Sequence, residues 1–356
     1  MKRIPELDGL RGIAIILVLL FHFGPVRGPL GFLAPFFQTG WIGVDLFFVL
    51  SGFLITGILL DARGRAGAYR NFIIRRTLRI FPMYYAVLLL DGYLSFYPGP
   101  VEWASVPARV DWWYFTYLSD VKVFLDNKWP VLGTLIPLWS LSVEEQFYLL
   151  FPLAVLFLSR KSLTRMLLAA LVAAVAIRAG MVVAMPANIT GTYTLMPCRM
   201  DALALGGLIA IAHRDYPEML GQRWIAWLTV VCGIGFVSIC MTVSTGPRSN
   251  PMRTVGFMAL DTGFAGLLVL LLKGASSLVA LCRLRILVWM GTISYGIYLL
   301  HIPVAVIARR HEGTSVKLGG SADFVISVCV SLAAAWVSWT VFESPILRLK
   351  NRFAPR

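Results

Sequence analysis

The chain has 356 residues, 58% of them hydrophobic and 14% charged, and its mean hydropathy is +0.77. A soluble domain cannot cover that much apolar surface, whereas bilayer lipid can. The formal net charge of +14 would suit nucleic acid, but the basic residues lie between apolar blocks, where Lys and Arg report membrane topology, so nucleic acid is excluded as a partner.

The apolar blocks predict an all-α, polytopic membrane bundle of about ten transmembrane helices. They fall near residues 9–26, 40–60, 80–97, 138–159, 163–184, 196–213, 224–243, 254–273, 284–308 and 321–342, in one domain covering 1–356. Lys2 and Arg3 ahead of Ile13–Phe23 imitate a signal peptide. No small-residue cleavage site follows, and His22 interrupts the apolar run, so this is an uncleaved first span. Arg11 and His22 stand eleven residues apart in it. That is close to three helical turns, so both face one side, about 16 Å apart along the axis. They cannot touch, but they suit two ends of one extended ligand, an anionic head by Arg11 and a reactive group by His22.

In the second block, Gly43, Ser51 and Gly52 suit close helix packing, and Asp45 lies about a turn below the outer end. Residues 61–80 alternate apolar and basic positions at helical spacing and predict a basic amphipathic helix on the cytoplasmic surface. Its Arg75, Arg76 and Arg79 satisfy the topology rule and suit anionic lipid headgroups. The guanidinium fork also suits phosphate oxygens, with Arg76 and Arg79 on one face. Phe81-Pro82 is expected to turn the chain into the third span. The extracytoplasmic loop 98–137 carries Trp112, Trp113, Tyr114 and Trp129, as a membrane–water interface does. Glu144 and Glu145 lie about a turn into the fourth span, Arg199 and Asp201 open the sixth, and His301 approaches the outer end of the ninth.

The inner segments are the richer in Lys and Arg, which places both termini in the cytoplasm. Cys198, Cys232, Cys240, Cys282 and Cys329 form no C-x-x-C pair and lie mostly in apolar runs, so neither a disulfide framework nor a metal site is expected. The Asn188-Ile189-Thr190 sequon is weak evidence of glycosylation.

Charge inside a span is costly and marks a bundle interior or a wet cavity. His22, Asp45, Glu144, Glu145, Arg199, Asp201 and His301 map to one layer near the outer side and predict a shared polar cavity. The bland alternative is that each is paired for assembly. A general base at His22, oriented by Asp45, Glu144 or Glu145, fits the cavity. Ser294, Tyr295, Gly296 and Tyr298 read as packing residues, with Tyr295 and Tyr298 as candidates for its lining.

These blocks resemble the membrane-bound acyltransferase family 3, which contains bacterial O-acetyltransferases of polysaccharides and glycosides. Leu7-Asp8-Gly9-Leu10-Arg11 through His22 resembles the family's Arg–ten residues–His signature. Gly43 to Phe53, Arg76 with Arg79, and Trp139 to Tyr148 are similar to its following blocks. Arg199-Met200-Asp201, Ser294 to His301 and Phe342-Glu343-Ser344-Pro345 are weaker echoes. The resemblance implies a multi-pass enzyme of the bacterial inner membrane, with acetyl-CoA or another acyl-CoA as donor and a glycan or glycoside hydroxyl as acceptor. With that donor, the geometry read from the residues sets Arg75, Arg76 and Arg79 at the nucleotide phosphates and Arg11 beside the pantetheine arm. The same geometry sets His22, with Asp45 or one of Glu144 and Glu145, at the chemistry, and Arg199, Asp201, Tyr295, Tyr298 and His301 toward the acceptor. Many members add a periplasmic hydrolase-like domain after the last span. The chain stops at Arg356, so the stand-alone form is expected. Direct transfer and an acyl-His22 relay both fit. The competing class is a proton-coupled transporter or flippase, which internal repeats or helices broken at the midplane would favour; the sequence shows no repeat.

Overall fold

The computed structural model describes residues 4–95, 111–130, 133–243, 249–310 and 320–349. Residues 98–110 and 131–132 of the predicted loop, and the orienting Lys2, Arg3, Lys350, Arg352 and Arg356, lie outside the described residues. Among the described residues the structure is helical with no strand. Each of the predicted span positions carries helix: α1 (Pro5–Phe23), α2 (Gly43–Ala62), α3 (Ala68–Ser95), α4 (Leu138–Phe157), α5 (Arg160–Ala184), α6 (Met196–Asp215), α7 (Arg223–Val243), α8 (Phe257–Leu272), α9 (Ser294–Arg310) and α10 (Ser321–Ser338).

Six helical stretches among the described residues are long and apolar enough to cross a membrane, and a bent pair makes a seventh. The other positions fall short for visible reasons. Glu6, Asp8 and Arg11 interrupt α1, arginines fill the start of α3, and the apolar part of α7 described, Arg223–Ile239, is short.

Two sequence expectations change. The basic segment is not a separate surface helix. It is the first half of α3, which continues through Pro82. A proline removes one backbone hydrogen bond and bends a helix without having to end it. The ninth span is broken: Arg285–Thr292 and Ser294–Ala305 meet at an angle of 73°. The lower arm packs across α1, and α9 rises from the elbow against α10.

Most of α2 is buried, whereas most of α5 and α10 is not, so α2 is the central helix. Its longest packing partner is α6. Gly52 lies on the Leu203 carbonyl and Gly206 on the Val49 carbonyl, and a side chain at either would collide with backbone. Small residues let two backbones approach in lipid, where dispersion between close surfaces supplies the attraction. Against α1, Gly43 faces Ala14 and Gly40 faces Leu17, so α2 descends while α1 rises. We call the end where α1 begins and α2 finishes the lower end.

Candidate active site

Two cavities lie among the helices around α1, α2, α3 and α9. The lower one, about 1750 Å³ with its open mouth, is lined by Asp8 and Arg11 of α1, Ser51 and Asp61 of α2, and Asn71, Arg75, Arg76 and Arg79 of α3. The upper one, about 600 Å³, is lined by Phe47, Ser140, Glu144, Tyr148, Tyr295 and Tyr298. Arg11, Arg76 and Arg79 border both and form the neck between them. The continuity of α3 is what carries its arginines from the surface into this neck. Arg76 stacks over the Tyr148 ring at 5.1 Å and the Phe72 ring at 5.6 Å, contacts that orient a guanidinium without neutralising it. Among the described residues none of the three neck arginines forms an ion pair, and the Arg11 Nε is buried without a hydrogen-bond partner.

Just above the neck, Glu144 accepts a hydrogen bond from Ser51 Oγ at 2.6 Å on Oε1 and from Tyr148 at 2.8 Å on Oε2. Glu144 and Tyr148 are four residues apart on α4, one turn on the same face. Higher still, the Tyr298 hydroxyl lies 2.5 Å from Ser140 Oγ and donates to the Pro137 carbonyl at 3.1 Å. Its ring packs against Phe47 at 6.4 Å, and Tyr295 donates to the Ile80 carbonyl at 2.6 Å. Tyr295 and Tyr298 thus line the upper cavity, as the sequence suggests.

His22 sits at the upper end of α1, half-buried, and borders neither cavity. His22 Nδ1 lies 2.9 Å from the Val18 carbonyl and 3.3 Å from His301 Nε2. The two rings meet edge to face with centroids 4.8 Å apart. His301 is fully buried, with Nδ1 2.7 Å from the Tyr298 carbonyl and 3.2 Å from that of Ile297. The partner expected to orient His22 was a carboxylate; the structure supplies a carbonyl and a second imidazole. His301 itself borders neither cavity, so it meets His22 and not an acceptor in either space.

The single polar layer divides. Asp45 pairs with Arg199, and Asp201 pairs with Arg178 at 2.6 Å, all four side chains fully buried. Arg178 also donates to the Thr254 carbonyl at 2.9 Å and to the Cys198 carbonyl. Arg199 lies over the Phe257 ring at 4.1 Å, and the buried Asp261 of α8 adds a third carboxylate. Here the assembly reading prevails: the network ties α2, α5, α6 and α8 together, and its members border neither cavity. Arg199 and Asp201 are therefore placed in the core and not at an acceptor surface. Glu145 also borders neither cavity, and its Oε1 is buried without a hydrogen-bond partner among the described residues.

Ser51, Ser140 and Tyr148 were not singled out as site residues from sequence. Tyr148 carried a usable signal, its spacing of one turn from Glu144. Ser51 reads as a packing residue because Gly52 beside it is one.

Beside the spans, the short helix Ser119–Asp126 locks against α4. Ser119 Oγ lies 2.8 Å from Ser142 Oγ, and Gln146 donates to Asp120 Oδ1 at 2.8 Å. Burial pushes the Asp120 carboxyl up to about 6, although Gln146 and the Met196 N–H hydrogen-bond to it.

Comparison with known proteins gives a consistent answer. The profile of a family described as "Acyltransferase domain" matches residues 4–341. O-acetyltransferase OatA of Staphylococcus aureus is 26% identical over 97% of this chain and 57% of its own length. The putative peptidoglycan O-acetyltransferase YrhL of Bacillus subtilis is 29% identical over 97% of this chain and 55% of its own. Peptidoglycan O-acetyltransferase OatA of Listeria monocytogenes is 28% identical over 99% of this chain and 57% of its own. The chain thus spans little more than half the length of these relatives. No solved structure matches it.

Proposed function

The chain belongs to the acyltransferase domain family, and from that membership we propose an integral-membrane O-acyltransferase that carries an acyl group, acetyl first, from cytoplasmic acyl-CoA to a sugar hydroxyl of a surface glycan. The lower end is then the cytoplasmic one, in a bacterial inner membrane. The relatives' names supply the acceptor class, a peptidoglycan-like polysaccharide.

One observation carries the reading: Arg11, Arg76 and Arg79 converge, without ion pairs among the described residues, on the neck between the two cavities. Unpaired guanidiniums at a wet mouth attract an anion and can bind phosphate oxygens two at a time. Arg75 extends the same surface at the mouth. The uncharged arm of the donor would pass the neck into the upper cavity, whose hydroxyls at Tyr148, Ser140 and Tyr298 suit its amide groups. The thioester would meet the acceptor at His22, at the upper end of α1. His22 would take the hydroxyl proton there as the oxygen attacks the carbonyl, then return it to the departing thiolate. A positioned base contributes about a hundredfold to ten-thousandfold.

The test uses the full chain in lipid nanodiscs with acetyl-CoA and peptidoglycan fragments. Release of CoA thiol matched by a mass gain of one acetyl group on the glycan is the expected result. Glycan movement across the bilayer of proteoliposomes without thiol release would replace transfer by transport.

A further inference from the structure

We infer that His301 is a positioning residue for the transfer reaction: it fixes His22 in the tautomer whose Nε2 is the bare, basic nitrogen. The inference rests on His22 being the base and identifies what orients it.

The hydrogen-bond pattern leaves one consistent set of proton positions. The Tyr298 and Ile297 carbonyls can only accept, so His301 Nδ1, 2.7 and 3.2 Å away, carries a hydrogen. A neutral imidazole has one N–H, so His301 Nε2 is then an acceptor. That nitrogen faces His22 Nδ1 at 3.3 Å, and the Val18 carbonyl faces the same atom at 2.9 Å. Two acceptors directed at His22 Nδ1 require it to hold the hydrogen. The opposite tautomer would set three lone pairs against one another. His22 Nε2 is left as the lone pair, with no hydrogen bond among the described residues.

The ring that imposes this choice is itself held. His301 is fully buried, with Phe23 at 5.8 Å and Tyr298 at 6.0 Å between ring centroids. His301 thus takes the place that a carboxylate holds in a hydrolase triad. The proton path balances. The acceptor hydroxyl hydrogen moves to His22 Nε2 as the oxygen–carbonyl bond forms. The carbon–sulfur bond then breaks, and the thiolate receives that hydrogen. While His22 is charged, its Nδ1–H bond to His301 Nε2 shortens or passes the proton across, which spreads the charge over two rings.

The variants His301→Gln and His301→Phe separate hydrogen bonding from packing. Glutamine keeps an acceptor toward His22, and phenylalanine keeps the ring without one. Acetyl transfer from acetyl-CoA to peptidoglycan fragments is measured on the full chain in nanodiscs, with His22→Ala as reference. His301→Phe is expected to lower kcat by up to about ten-thousandfold, the loss that a wrong tautomer brings in a hydrolase triad, with the KM for acetyl-CoA unchanged. His301→Gln should recover most of that loss. Nitrogen-15 spectra of histidine-labelled protein should show His22 protonated at Nδ1 in the parent and in His301→Gln, and a mixture of tautomers in His301→Phe. His22 held in one unchanged tautomer in His301→Phe, or equal activity of the two variants, overturns the inference. Full activity of His22→Ala would instead overturn the reading of His22 as the base.

Discussion

Two arginine-bearing regions sit in this bundle, and they are built in opposite ways. In the core between α2, α5, α6 and α8, Arg199 and Arg178 each hold a carboxylate, and no solvent reaches them. At the neck, Arg11, Arg76 and Arg79 border cavities and form no ion pair among the described residues; the nearby Glu144 is engaged by Ser51 and Tyr148. A buried guanidinium whose charge is matched within the protein holds helices together. One left without a carboxylate on a cavity wall is a site for someone else's negative charge.

The largest effect that tests this contrast falls on the core. Arg199→Ala strands Asp45 in a dry interior, a loss of about 3–5 kcal/mol. The variant should fail to accumulate or should melt far below the parent in detergent. Replacing both partners, Arg199→Met with Asp45→Leu, removes the stranded charge, and the melting temperature should return most of the way. If the double variant is as unstable as the single one, the pair is not the unit of stability.

At the neck the effects reverse. Arg76→Ala should melt within a few degrees of the parent yet bind CoA about tenfold or more weakly by titration calorimetry, the loss of roughly one charge-assisted contact. Arg79→Ala should behave likewise. Unchanged CoA affinity in both would remove the neck from the donor's path. Ser51→Ala should have a smaller effect, because Glu144 keeps its bond from Tyr148. A several-fold fall in transfer without loss of CoA binding is expected; loss of CoA binding would assign Ser51 to the donor site.

The smallest effect lies beside α4, at Asp120. Its folded carboxyl keeps the proton up to about pH 6, whereas the unfolded chain releases it near the ordinary value of about 3.9. The folded state therefore loses stability as pH rises from about 4 to 6 and is level beyond that. Asp120→Asn should remove this slope, a difference of roughly a few degrees in melting temperature. An unaltered slope would show that other groups set it.

Much of the architecture is legible in the sequence because hydrophobic length is a one-dimensional property. Each apolar block became a helix, and the Arg11–His22 spacing placed one residue at the neck and the other near the top. What sequence could not supply was direction around each helix. Asp45, Arg199, Asp201 and His22 map to similar depth by counting residues, but only packing decides that Asp45 turns to Arg199, Asp201 to Arg178 and His22 to His301. The same limit hid the continuity of α3, since Pro82 reads as a boundary, and the 73° elbow before α9. The tyrosines fared better: Tyr295 and Tyr298, three residues apart, share a face, and that face is the cavity wall.

His22, at the top of α1, is proposed as the base for a transfer whose donor enters at the lower end. Single-turnover acetyl transfer by His22→Ala in nanodiscs, with CoA binding measured on the same sample, tests it most directly. CoA should bind as tightly as to the parent while acetylated glycan falls by about a hundredfold or more. Parent-like acetylation by that variant would contradict that assignment.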